Sequence, residues 1–184
     1  MGCAYYETRY DSPIGGLTLC SDGEALVGLW MDGQKYYGGT VAGETTLVAA
    51  GEDKVLDRAT DWLDRYFAGD EPAITALPLA PAGSEFRQLV WACLREIPYG
   101  EVTTYGEIAR KVARAQGKVR TASMAVGGAV GHNPISVIVP CHRVVGADGS
   151  LTGFAGGLDK KLWLLEHEGV DVSKLYRPEQ GTAL

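Results

Sequence analysis

The run Asn-Pro-Ile-Ser-Val-Ile-Val-Pro-Cys-His-Arg-Val-Val, from Asn133 to Val145, leaves this chain few ways to fold. Ile135, Val137, Ile138 and Val139 lie between Pro134 and Pro140. A short β-branched run bounded by prolines reads as buried extended chain, not helix. Pro140 fixes its own φ and biases Val139 toward extended geometry. Cys141 is therefore predicted at the end of a rigid, buried segment, which suits a nucleophile that must be aimed. A bare thiol has a pKa of about 8.5 and is only a few per cent thiolate near neutral pH, so Cys141 needs a base or a cation. His142 is adjacent, but neighbouring side chains on extended chain point to opposite faces. A bridging water is the easier contact. The competing reading is an inert buried cysteine beside a satisfied histidine, since free cysteine is among the most buried residue types.

The N-terminal half reads as strands and turns. Tyr5 to Tyr10, Leu17 to Cys20 and Ala25 to Trp30 are strand-like, separated by turns at Asp11–Gly16 and Ser21–Gly23. Tight turns between them predict an antiparallel meander. Residues 35–46 are Gly-rich and polar and read as loop. Leu47, Ala50, Val55, Ala59, Trp62, Leu63 and Tyr66 form a helical stripe over residues 47–67, stopped near Gly69. Pro72, Pro78 and Pro81 then mark a linker.

The second half is helical around the Cys141 segment. Ser84 can cap a helix to about Glu96, with Phe86, Leu89, Val90, Cys93, Leu94 and Ile97 at helical spacing; Cys93 belongs to that core. Thr104 with Glu107 three residues on matches a capping box for a helix to about Ala115. A further helix from about Arg120 to Gly131 follows a short Gly-containing turn, giving helix-turn-helix form. Arg110, Lys111, Arg114, Lys118 and Arg120 cluster there against Glu107 alone. The bland reading of that cluster is a solvated surface. The second helix is rich in Gly and Ala, which implies close approach by something: a packed helix or a nucleic-acid groove. Asp148-Gly149 reads as a turn, Gly153 to Gly157 as a loop able to wall a pocket, and Asp159 as the cap of a last helix to Glu168.

Composition narrows the function classes. The net charge of −6 is uneven: residues 1–84 carry −8, residues 85–120 carry +3 and residues 121–184 carry −1. A local patch, not the average, decides phosphate attraction. No apolar run approaches membrane-spanning length and no secretory signal opens the chain. The cysteines Cys3, Cys20, Cys93 and Cys141 show no paired spacing, which fits a reducing cytoplasm.

The chain resembles the O6-alkylguanine-DNA alkyltransferases, also called methylated-DNA–protein-cysteine methyltransferases. The resemblance runs from Phe86 to Gly169. It is carried by Val90-Trp91, Ile97-Pro98-Tyr99-Gly100, Thr104-Tyr105-Gly106, Ala125-Val126-Gly127, Asn133-Pro134, Pro140-Cys141-His142-Arg143-Val144, Gly153-Phe154, Gly156-Gly157-Leu158 and Leu164 to Gly169. It implies an α/β (α+β) chain. Residues 1–80 would be a small ribonuclease-H-like domain, an antiparallel sheet with a helix. Residues 84–170 would be a winged helix-turn-helix-like domain that binds DNA and holds the active cysteine, and residues 171–184 a tail. Some members carry zinc in the first half. Here Cys3 and Cys20 stand without a nearby histidine, because His132, His142 and His167 all lie in the second half, so no metal or other cofactor is expected.

The resemblance also implies roles. Cys141 would take the alkyl group from O6-alkylguanine, or from O4-alkylthymine, in double-stranded DNA, once per molecule. Glu168 would orient His142, which would take the thiol proton through water. Tyr105 would help turn the flipped nucleotide, and Asn133 would hold the turn before Cys141. Thr104, Arg120, Thr121, Ala122, Ser123, Met124 and Val130 would contact DNA or the base, with Gly127 and Gly128 packed on the core side of their helix. Val144, Phe154, Ala155 and Lys161 would line the pocket. Met124 stands where the family usually has arginine, and Phe154 where it usually has tyrosine. The protein would act as a monomer. Two other readings stay open: a module that binds alkylated DNA and flags it for other repair factors, and a thiol hydrolase.

Overall fold

The computed structural model describes residues 4–178. Cys3 and residues 179–184, on which parts of the zinc and tail readings fall, lie outside them. The chain groups into two units: residues up to Ala82 with Pro134–Ile138, and Gly83–Asn133 with Val139 onward. Residues 134–138 fall inside the 84–170 stretch of the sequence, yet they group with the first unit because their backbone is bonded to its sheet.

The first unit is a four-stranded sheet with one helix. β1 (Tyr5–Ser12), β2 (Gly15–Ser21) and β3 (Leu26–Met31) form the antiparallel meander. β4 (Thr45–Leu47), inside and just beyond the stretch read as loop, pairs in parallel with β1, so the order is β3-β2-β1-β4. All three β4 residues are exposed; an exposed three-residue strand has no hydrophobic alternation to betray it. α1 (Lys54–Phe67) starts seven residues later than the stripe suggested. Asp53 fixes that start: its carboxylate accepts from the N–H groups of Val55 and Leu56. Val55, Leu56, Ala59, Trp62, Leu63 and Tyr66 form its buried face, packed on β1, β2 and β3. β3 is buried throughout, which matches its unbroken apolar sequence.

The outer edge of β3 is closed by two short stretches. Leu26 exchanges backbone bonds with Pro78 and Ala80. Leu29 donates to Pro134 O at 2.8 Å and accepts from Ser136 N at 2.9 Å.

The second unit packs α2 (Glu85–Arg95), α3 (Tyr105–Ala115) and α4 (Ser123–Gly131) against one another. Ser84 caps α2 by accepting from Arg87 N. Thr104 and Glu107 form the complete capping box of α3. Trp91 is fully buried and its indole N–H donates to Ala129 O at 2.9 Å, tying α2 to α4. β5 (Thr103–Thr104) and β6 (Val144–Val145) make a two-stranded parallel ladder. α5 (Leu158–His167) is preceded by Gly157 at φ 93°, and Asp159 lies in its first turn instead of capping it. Asp159 pairs with Arg177. The described end of the tail is ordered into this unit: Val172 and Leu175 pack with Val145, Leu151 and Leu165.

Candidate active site

Cys141 does not end in extended chain. It opens a single turn of 3₁₀ helix, Cys141–Arg143. Two tight turns lead to it. Ile138 N donates to Ser136 O at 2.8 Å around Val137, whose φ is +68°. Cys141 N donates to Val139 O at 2.8 Å around Pro140 at φ −82°, ψ 65°. Both are γ-turns, and the positive-φ kind is rare and strained. For a β-branched residue such a φ is an outlier that costs about 1–3 kcal/mol and persists only where its surroundings hold it. The Asn133 amide donates to Val139 O at 2.8 Å, closing the loop between α4 and the 3₁₀ turn.

All three residues of the 3₁₀ turn are buried. Cys141 is 5% exposed and His142 not at all. His142 Nε2 lies 2.6 Å from Glu168 Oε1, just beyond α5. Arg143, 5% exposed, donates from Nε to Glu168 Oε2 at 2.7 Å and from Nη2 to Oε1 at 3.0 Å. Its Nη1 donates to Ile97 O at 2.6 Å, and its guanidinium lies over the Tyr99 ring. Gly100 N adds a longer bond to Glu168 Oε2 at 3.3 Å.

These contacts set the charges. Burial alone would raise the Glu168 carboxyl pKa, but His142 and the forked Arg143 outweigh it and hold it below the ordinary carboxylate range. Burial pushes the His142 pKa down, against the pull of Glu168, so the ring is neutral at neutral pH. Facing an ionised carboxylate, Nε2 carries the proton. Nδ1 is then the basic nitrogen, and it is buried with no hydrogen-bond partner among the described residues.

Burial raises the pKa of the Cys141 thiol, as it does for Cys20 and Cys93. Cys141 differs in what opposes burial: the Asn133 amide, the Lys161 charge and the backbone N–H groups of the 3₁₀ turn. Lys161 is wholly buried. Its ammonium donates to Val144 O at 2.5 Å and Thr152 O at 2.7 Å, and burial brings its pKa down to about 8. The Tyr105 hydroxyl donates to the same Thr152 carbonyl at 2.8 Å, and burial raises its pKa to about 12.

The other expected residues divide by exposure. Arg120, Ala122, Ser123 and Met124 are exposed and Thr121 half-buried, at the N-terminal end of α4. Met124 is 89% exposed and Val119 98%. Thr104 caps α3. Val130 and Val144 are buried at 1% and 0%, and the Val144 backbone faces Lys161 through its carbonyl. Phe154 is buried and Ala155 half-buried in the loop before α5. Gly127 and Gly128 do not make the tight packing expected of them. A methyl group at Gly128 would meet nothing within 4 Å, and one at Gly127 would touch only the Tyr105 ring, at ordinary van der Waals distance. The smooth face of α4 is open. Arg143 was not among the expected site residues, although it directly follows the thiol and the imidazole; its pairing with Glu168 spans twenty-five residues and has no local signal in the sequence.

Two family models match: the ribonuclease-like domain of 6-O-methylguanine DNA methyltransferase over residues 5–81, and the DNA binding domain of the same family over residues 85–170. A methylated-DNA–protein-cysteine methyltransferase of Haemophilus influenzae is 41% identical over 91% of this chain and 88% of its own length. One from Mycobacterium leprae is 46% identical over 86% of this chain and 88% of its own. Among solved structures, Mycobacterium tuberculosis OGT in complex with DNA superposes with a TM-score of 0.75 at 41% identity, covering 92% of this chain and 94% of that one.

Proposed function

This chain belongs to the O6-methylguanine DNA methyltransferase family, and we propose that it repairs DNA by moving the alkyl group of O6-alkylguanine irreversibly onto Cys141. The lesion sits inside the base stack, so the nucleotide must be flipped out to reach a buried thiol. The open N-terminal end of α4, with Arg120, Thr121, Ala122 and Ser123 and no side-chain cap, offers N–H donors and positive charge to the DNA backbone. Met124 would fill the gap as an apolar wedge.

In the pocket, His142 Nδ1 takes the Cys141 proton through a water, while Glu168 holds the imidazole in the tautomer that leaves Nδ1 free. Lys161 and Asn133 stabilise the thiolate. The thiolate attacks the alkyl carbon; the S–C bond forms as the C–O bond breaks, and the electron pair passes to the guanine. Tyr105 would supply a proton to the departing base. A thioether has no route back to the thiol, so each molecule reacts once. Reducing conditions such as those of the cytoplasm would keep Cys141 available; no helix among the described residues is long and apolar enough to cross a membrane.

The observation that carries this reading is the His142–Glu168–Arg143 cluster beside a buried Cys141. A lesion-binding module has no use for a tautomer-fixed base next to a thiol. Incubation with an O6-methylguanine duplex, followed by intact-mass and peptide-map analysis, tests it. One added methyl on Cys141, with no turnover, is expected. Binding without an adduct supports the lesion-flagging module instead, and repeated turnover the hydrolase.

A further inference from the structure

Ser136 is held by all three of its polar groups. Its N–H donates to Leu29 O on β3, and its C=O accepts from Ile138 N to close the turn at Val137. Its hydroxyl donates to Gln34 Oε1 at 3.1 Å. Gln34 is 6% exposed, and the same oxygen accepts from Met31 N at 2.8 Å, so the side chain is itself fixed to the end of β3. Ser136 is 3% exposed, and neither residue takes part in the chemistry described above.

The adjoining turn explains why such a clamp exists. Val137 holds φ +68°, a conformation a valine leaves when its neighbours allow it. Cys141 lies only four residues further on, beyond one more turn. Rotation at Val137 would propagate along Ile138 and Val139 to the residue whose Sγ must be aimed.

We propose that Gln34 is a positioning residue for alkyl transfer: through Ser136 it keeps the positive-φ turn at Val137, and with it the backbone path that presents Cys141. The proposal rests on the alkyl-transfer reading and assigns the first unit a part in that chemistry. Because a single oxygen of Gln34 accepts both bonds, Ser136→Ala breaks the clamp while leaving the bond to Met31. Ser136→Thr keeps the hydroxyl. Val137→Gly makes the turn unstrained without any clamp, since glycine adopts φ > 0 freely.

The experiment measures single-turnover methyl transfer from a saturating O6-methylguanine duplex, the duplex Kd, and iodoacetamide labelling of Cys141. Wild type, Ser136→Ala, Ser136→Thr, Gln34→Met, Val137→Gly and the Ser136→Ala/Val137→Gly double variant are compared. Ser136→Ala and Gln34→Met should slow both transfer and labelling about three- to tenfold, the weight of one hydrogen bond, with Kd unchanged. Ser136→Thr should restore the wild-type rate. In the glycine background, Ser136→Ala should change the rate less than about twofold, because the coupled turn no longer needs holding. Wild-type rates in Ser136→Ala, or an equal loss with and without Val137→Gly, overturn the proposal. If Gln34→Met fails to fold, the serine variants and the double variant still decide. Absence of transfer in the wild type refutes the alkyl-transfer reading itself, and is thereby distinguished from failure of the clamp.

Discussion

Replacing Glu168 by glutamine should separate the chemistry from DNA binding. The carboxylate accepts from His142 at 2.6 Å and from Arg143 at 2.7 and 3.0 Å. An amide has one oxygen, and Arg143 needs it more than the neutral ring does. The amide NH₂ then faces His142 Nε2 and forces that nitrogen to accept. The imidazole proton moves to Nδ1, and the lone pair that received the thiol proton is gone. General-base assistance is worth roughly 10²–10⁴ in rate, and an inverted histidine tautomer costs about 10⁴ in the serine-protease template. We expect Glu168→Gln to slow transfer at least about 100-fold at pH 7.

Stability should fall as well, because the buried Arg143 loses its counter-ion, a change that costs about 3–5 kcal/mol in comparable buried pairs. The assay therefore runs at a temperature where circular dichroism shows both proteins folded. It compares single-turnover transfer at saturating duplex with the Kd from fluorescence anisotropy. Glu168 is 5% exposed, so Kd should stay within about threefold, under 1 kcal/mol. Transfer and binding falling together, or transfer within threefold of wild type, would refute the tautomer argument. The pH dependence has a definite sign. The folded Glu168 pKa is depressed, so its contribution to stability is complete above the unfolded value of about 4.3 and drains away as pH falls toward the folded one. The folded His142 pKa is depressed too, so the unfolded chain takes that proton first and stability starts to decline below about pH 6.5. Glu168→Gln should lose the carboxylate part of this acid limb.

Met124→Arg should speed repair of duplex DNA, because arginine both fills the gap and bonds the orphaned base, whereas methionine offers only apolar volume; at fixed salt and saturating DNA, an unchanged rate would show that Arg120 or another residue already fills it. Lys161→Met should move the iodoacetamide pH profile of Cys141 to higher pH, since the buried cation opposes the rise that burial imposes on the thiol; a profile that stays in place contradicts that role. Thr104→Ala should lower stability by about 1 kcal/mol through loss of the α3 capping box, read as a shift in the urea midpoint at unchanged slope.

The helices of the second unit were legible where local chemistry fixes their ends. Ser84 and the Thr104–Glu107 pair name α2 and α3 from residue type and spacing alone. α1 began late because a cap at Asp53 overrides apolar residues at Leu47 and Ala50 that merely share the helical period. The cluster behind Cys141 was half legible. Cys141 and His142 stood out in the Pro-bounded run, and Glu168 came from the resemblance. Arg143 as the forked partner of Glu168, and the turn that seats all three, depend on contacts between residues about twenty-five apart in sequence, which no local pattern encodes. The strained φ at Val137 was invisible because a β-branched run advertises extended chain, and the exception shows only in the folded backbone.

The bonds from Leu29 to Pro134 and Ser136 also set an order of events during synthesis. β3 is the edge of its sheet, and part of that edge is covered by residues translated only after the whole of Gly83–Asn133. Until then, a nascent first unit displays unpaired N–H and C=O groups at Leu29, on a strand with no charge in its sequence. Such an edge is a template for pairing with another chain. Closing it late is a contact of long sequence separation, which is slow to form. The chain should therefore pass through a stage when its first unit is structured but adhesive, and arrest of translation before Pro134 would leave it there.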